Sequence, residues 1–134
     1  MWLAPDELVE LNQFIVLNNQ PPEPFGLLKP NELISACARP KNLWAYYDEE
    51  RIAFLATALI IGVARVHPFV QGNKRTAFAA ATQAFLPNNG WRFTRDDTEE
   101  FGPIVEDVIL GRMGEDEFAY EMDRYLVEEV YFGE

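Results

Sequence analysis

Apolar residues along the chain recur at helical rather than alternating spacing, and turn-forming residues separate them into about six segments. The first, LAPDELVELNQFIVL, carries Leu8, Leu11 and Ile15 at i, i+3 and i+7. Pro5 takes a first-turn position, and Asp6 and Glu7 follow it where acidic side chains meet the positive end of a helix dipole. The turn-rich NNQPPEPFG comes next. PNELISACARP then predicts a short helix closed by proline at both ends, because Pro40 has no N–H to donate and its ring crowds the preceding turn. The aromatic KNLWAYYDEE leads into DEERIAFLATALIIGVARV. There Ile52, Leu55, Leu59, Val63 and Val66 mark one face, while Phe54, Ala58 and Ile60 make the remainder apolar too, the pattern of a buried central helix. After HPFVQGN, the alanine-rich KRTAFAAATQAFL predicts a second, closely packing helix that ends at PNNG, where Asn89 and Gly90 suit a C-terminal turn. TEEFGPIVEDVIL brings Phe101, Ile104, Val105 and Val108 together, and GEDEFAYEMDRYLVEE does the same for Phe118, Met122, Tyr125 and Leu126. No internal repeat or low-complexity block interrupts this order. The expected fold is all-α: one domain over residues 1–134, a compact bundle of about six helices around a central helix-loop-helix.

Bulk properties narrow the function classes. The chain has 134 residues, enough to bury a core without disulfides or metals to hold it, and its single cysteine, Cys37, reads as a small buried apolar side chain. With one histidine besides, a Cys/His zinc site is excluded. The net charge of −11 opposes binding to a DNA or RNA backbone, whose affinity comes mostly from phosphates neutralised by Lys and Arg. A basic or neutral partner suits it better. The longest apolar run, LATALIIGVARV, is twelve residues with an arginine, too short for a membrane span. MWLAPDEL lacks a basic stretch followed by an apolar one, so the expected location is the cytoplasm.

Candidate chemistry concentrates in VHPFVQGNKRTAFAA, residues 66–80, where the only histidine precedes Gly72, Asn73, Lys74 and Arg75. A helix starting near Asn73 would present unpaired N–H groups and the positive end of its dipole, with Gly72 letting a ligand approach the backbone. Lys74 would add a flexible point charge and Arg75 a planar fork for phosphate oxygens, which together suggest a polyphosphate. His67 can take the proton that a hydroxyl loses when it attacks phosphorus. Taken singly, each residue also has a plain reading: His67 as a hydrogen-bonded structural histidine, Lys74 and Arg75 as solvated charges at a helix start, Phe69 as core.

Taken together, HPFVQGNKR resembles the Fic/Doc motif HxFx(D/E)(G/A)N(G/K)R, and Lys74 with Thr76 and Ala77 resembles its Doc (death-on-curing) branch. PDELVELN, GLLKPNELISACARP and GRMGEDEFAYEMDRYL are similar to their counterparts in Doc-type toxins, so the resemblance runs over nearly the whole chain. It implies an all-helical ATP-binding fold in which His67 is the general base for a target hydroxyl and Phe69 anchors the loop. Gly72, Asn73, Lys74 and Arg75 would hold phosphates. Lysine at position 74 implies phosphoryl transfer, with AMP transfer as the alternative chemistry. The implied target is the elongation factor Tu, and the implied regulator a small Phd-like antitoxin.

Gln71 departs from the motif. It holds the position of the usual acidic ligand for Mg²⁺ and offers only a neutral carbonyl oxygen, whereas Mg²⁺ prefers carboxylates, phosphates and water. This leaves room for a catalytically impaired binding module of the same fold, with the aromatic segment KNLWAYYDE as its docking surface. Trp44, Tyr46 and Tyr47 there read equally as half-buried packing residues. No (S/T)xxxE(G/N) inhibitory helix occurs, so control is expected from a separate partner.

Overall fold

The computed structural model describes residues 1–95 and 98–129. Among the described residues it contains six helices: α1 (Pro5–Leu17), α2 (Pro30–Tyr47), α3 (Ile52–Val66), α4 (Asn73–Ala80), α5 (Thr98–Ile109) and α6 (Glu115–Asp123). The α4 helix continues through a π-type turn, Ala81–Phe85, and one last turn, Leu86–Asn88. Two short strands, β1 (Trp91–Phe93) and β2 (Leu126–Glu128), pair antiparallel with Phe93 opposite Leu126. The fold is therefore helical, as the spacing predicts. Among the described residues, no helix is long and apolar enough to cross a membrane.

The α3 helix forms the centre because it has no polar face to give to solvent. Ala53 and every residue from Leu55 to Ala64 are buried, and α2, α4, α5 and α6 all pack on it. Charge appears on α3 only at Arg65, in its last turn, where a cation suits the negative end of the dipole. The loop after Val66 is thereby held at the rim of the core.

Three expectations need correction. Pro40 does not end the second helix, which runs on to Tyr47. Leu33, Ala36, Cys37 and Pro40 form one buried stripe against α3, and that burial offsets the roughly 3 kcal/mol an interior proline costs. The Ala36 carbonyl, denied the N–H that Pro40 lacks, faces α3 at Gly62, where an added methyl carbon would lie 3.5 Å from the oxygen. The same methyl would lie 2.8 Å from Arg39 Cδ, so it is the close approach of the Arg39 side chain that favours glycine there. Arg39 ties the same region together, donating to Ala58 O at 3.0 Å and pairing with Glu115 of α6 at 3.1 Å.

On α1 the fully buried positions are Leu8, Asn12 and Val16, while Leu11 and Ile15 sit half-buried at the margin. The inner face is rotated from the apolar reading, and a polar residue lies at its middle. The last segment leaves the helix at Asp123, so that Leu126 is in a strand. An aromatic cluster draws it there: Tyr125 lies 6.0 Å from both Phe93 and Phe101, and Phe78 stacks on Phe101 at 5.4 Å. Thr94 N donates to Tyr125 O at 2.8 Å and Glu129 N to Gly90 O at 2.8 Å, securing the strand pair. Trp44 is half-exposed and packs against Trp2, while Tyr46 and Tyr47 project into solvent. Cys37 is buried, and that burial pushes its thiol up to about 11.

Candidate functional site

The loop between α3 and α4 is fixed from three sides. From inside, Phe69 is buried to 1% exposure and plugs the loop into the core. From the loop itself, Asn73 closes a reciprocal pair. Phe69 N donates to its Oδ1 at 2.9 Å and its Nδ2 donates to Phe69 O at 2.9 Å. From outside, the segment before α2 lies along it in antiparallel fashion: Leu28 N donates to Pro68 O at 2.7 Å and Val70 N to Gly26 O at 2.9 Å. Lys29 Nζ caps the last turn of α3 by donating to Val66 O at 3.0 Å.

Beneath the loop is Asn12 of α1, fully buried, a residue that the apolar pattern of the sequence does not single out. Its Nδ2 donates to Gln71 O at 2.8 Å and to Thr76 Oγ1 at 2.9 Å, so one side chain joins the end of the loop to the first turn of α4. Gly72 sits on this floor with φ +74. A Cβ there would lie 3.0 Å from Val16 Cγ1 and 3.3 Å from Asn12 Nδ2, so both the left-handed turn and the space require glycine. The signal in the sequence is an asparagine one helical turn from both Leu8 and Val16. It becomes legible only once the partner is known.

The loop hands over to α4 as the sequence predicts. Helix α4 starts at Asn73, no side chain caps it, and Thr76 N makes the first main-chain bond, to Gly72 O at 2.8 Å. The first residues of the helix, whose amides have no intrahelical partner, line a cleft of about 590 Å³. Its walls are His67 and residues 72–75 on one side and Gly102, Pro103 and Glu106 of α5 on the other. A separate cleft of about 670 Å³, lined by Trp2, Trp44 and Trp91 among others, shares none of these residues.

His67, exposed at the cleft rim, caps α3 in the left-handed region at φ 50 and ψ 61. That conformation is uncommon outside glycine, although Asn, Asp and His adopt it more often than other residues. Its Nδ1 lies 3.2 Å from Arg65 O, a group that can only accept. Read as a hydrogen bond, this contact puts the donor at Nδ1, the tautomer that leaves Nε2 to accept a proton.

Both cations of the cleft already have carboxylate partners. Lys74 Nζ is paired with Glu106 of α5, and Arg75 Nη2 with Glu23 of the segment between α1 and α2. The Lys74 ammonium, chiefly by hydrogen bonding, holds the Glu106 carboxyl below the usual carboxylate range. Both cations are thus pre-positioned but locally neutralised. Neither glutamate is singled out by sequence, because both are remote from the loop along the chain.

Gln71 keeps its main-chain oxygen on Asn12 while its side chain lies exposed. Among the described residues, no group of three His, Cys, Asp or Glu is placed to hold a metal. A cation could lodge here only by sharing its coordination with a ligand's oxygens. The donor set fits that case, since Glu106 brings a carboxylate to the same cleft as the uncapped start of α4.

The family model described as Fic/DOC family matches residues 2–85, more than half of the chain and all of the loop and α4. No curated protein matches.

Proposed function

The chain belongs to the Fic/DOC family, and we propose on that premise that it transfers the γ-phosphoryl group of ATP to a hydroxyl of a protein target. The observation that carries the reading is the cleft itself. A histidine with a free Nε2 stands at its rim, and the uncapped start of α4, with Lys74 and Arg75, forms its wall.

The target hydroxyl gives its proton to His67 Nε2 as its oxygen bonds to the γ-phosphorus. The bond from that phosphorus to the β-bridging oxygen breaks, and ADP leaves with the electron pair. The amides of residues 73–75, Lys74 and Arg75 hold the phosphate oxygens, with Arg75 exchanging Glu23 for a second, stronger anionic partner. The role of Asn73 is positional, since both ends of its amide hold the Phe69 backbone and so set the angle at which the loop meets α4. Phe69 anchors the loop by its burial, worth about 1.5–3 kcal/mol. A bound Mg²⁺ would neutralise charge on the phosphates, and Glu106 is the cleft carboxylate that would hold it.

A lysine at position 74 favours the γ-phosphate over the α-phosphate as the group transferred, by the resemblance of the motif to the Doc branch. Elongation factor Tu is the proposed target, translation arrest the consequence, and a small Phd-like protein the proposed antitoxin. The neutral Gln71 supports a second reading, a weakly active or inactive member kept for binding, with exposed Trp44, Tyr46 and Tyr47 available to a partner. Incubating the protein and Mg²⁺ with a bacterial lysate and ATP labelled at either phosphate decides among these. Label passing from the γ position to a protein is the expected result, label from the α position makes the chain an AMP transferase, and no label leaves the binding module.

A further inference from the structure

We infer that Glu106, on α5, is the carboxylate through which this chain engages a divalent cation carried on the nucleotide phosphates, in place of the loop position that Gln71 occupies. The inference rests on the cleft being a nucleotide site. Three observations carry it. Among the described residues lining the cleft, Glu106 is the only carboxylate. It is ion-paired with Lys74 across the cleft, so it is ionised at neutral pH and lies within a side chain's length of the helix start that would hold phosphates. Gln71 supplies no charge, and Mg²⁺ bound beside phosphates commonly takes one or two protein carboxylates and completes its shell with water.

The Lys74–Glu106 pair then has a use beyond surface neutrality. Without ligand, ammonium and carboxylate satisfy each other. When ATP arrives with its cation, Lys74 can turn to a phosphate oxygen and Glu106 to the metal, so two opposite-charge contacts replace one and no charge is left alone. When ATP arrives without the cation, the same turn leaves Glu106 facing phosphate, a like-charge contact. Nucleotide affinity should therefore depend on metal through Glu106. A glutamate that merely shields Lys74 would behave differently, since its removal would tighten ATP equally with and without metal.

Calorimetric titration of the full chain with ATP, in MgCl₂ and in excess EDTA, separates these cases. In the parent and in Gln71→Ala, Mg²⁺ should tighten ATP. Glu106→Gln should remove about tenfold of that tightening, while affinity in EDTA stays the same or rises. Adding Gln71→Asp to Glu106→Gln should restore it by returning a carboxylate to the loop position next to Gly72 at the edge of the cleft. Circular dichroism of each variant confirms that α5 is retained. Full Mg²⁺ tightening in Glu106→Gln, or an equal change in both buffers, overturns the assignment while leaving the nucleotide site standing. No ATP binding by the parent in either buffer overturns the nucleotide reading, and this inference with it.

Discussion

Replacing His67 by glycine should stop transfer with little change in the stability of the fold. His67 is a non-glycine residue at φ 50 and ψ 61, a region that costs an L-residue roughly 1–2 kcal/mol. Glycine removes that cost but adds about 0.5–1 kcal/mol of backbone entropy lost on folding. The imidazole makes one exposed contact, 3.2 Å to Arg65 O, worth at most about 0.5 kcal/mol net. The sum runs from about 0.5 kcal/mol of destabilisation to about 1 kcal/mol of stabilisation, within about 5 °C of the parent in Tm for a chain of this size. His67→Ala keeps the backbone cost and loses the contact, so it should melt below His67→Gly by a few degrees. Both variants lack the base, and both should lose on the order of 10² to 10⁴ in transfer rate. Thermal unfolding followed by circular dichroism, alongside transfer of labelled phosphate, reads the two effects separately. If His67→Gly melts well below His67→Ala, the left-handed cap is not the source of strain. If either variant transfers at the parent rate, His67 is not the base.

Further outcomes rest on the same geometry. Arg75→Ala should weaken ATP binding by about tenfold or more while lowering stability by less than about 1 kcal/mol, because its partly exposed pair with Glu23 is worth little; calorimetry and melting measure the two. Gln71→Asp alone should raise Mg²⁺-dependent transfer and make expression more toxic, and chelator should erase the gain. Cys37, its thiol raised to about 11, should resist alkylation in the folded protein at mildly alkaline pH. The folded state holds that proton more tightly than the unfolded state, so this contribution is full below the ordinary thiol range and is lost as pH rises towards 11. Cys37→Ala should therefore flatten the alkaline fall in Tm.

Much of the helical order was legible because the relevant pattern is local. The all-round apolar run 52–66 could only be a central helix, and Gly72 followed by Asn73 marked where α4 begins. What escaped depends on contacts distant in sequence. Pro40 reads as a terminator until α3, with Gly62 opposite, makes the packing of that stripe outweigh a missing hydrogen bond. Leu126 reads as helix until Phe93 and Phe101 draw its neighbour Tyr125 across the molecule. At the candidate site the motif residues come together, but their supports do not announce themselves. Asn12 looks like an ordinary interruption of an apolar face, and Glu23 and Glu106 are two acidic residues in an acidic chain. Asn73, which resemblance assigns to phosphate, has its side chain on the Phe69 backbone, a distinction of geometry that residue type alone does not carry.

The central claim is that the start of α4, with His67 at its rim, is where this protein meets ATP. Backbone and imidazole chemical shifts, monitored by NMR as ATP is added in the presence of Mg²⁺, test it directly. The account predicts that the largest changes fall on the amides of residues 72–76, the His67 ring and Glu106, while Trp2, Trp44 and Trp91 in the other cleft stay still. Changes confined to the tryptophan-lined cleft, with residues 72–76 unmoved, would contradict it.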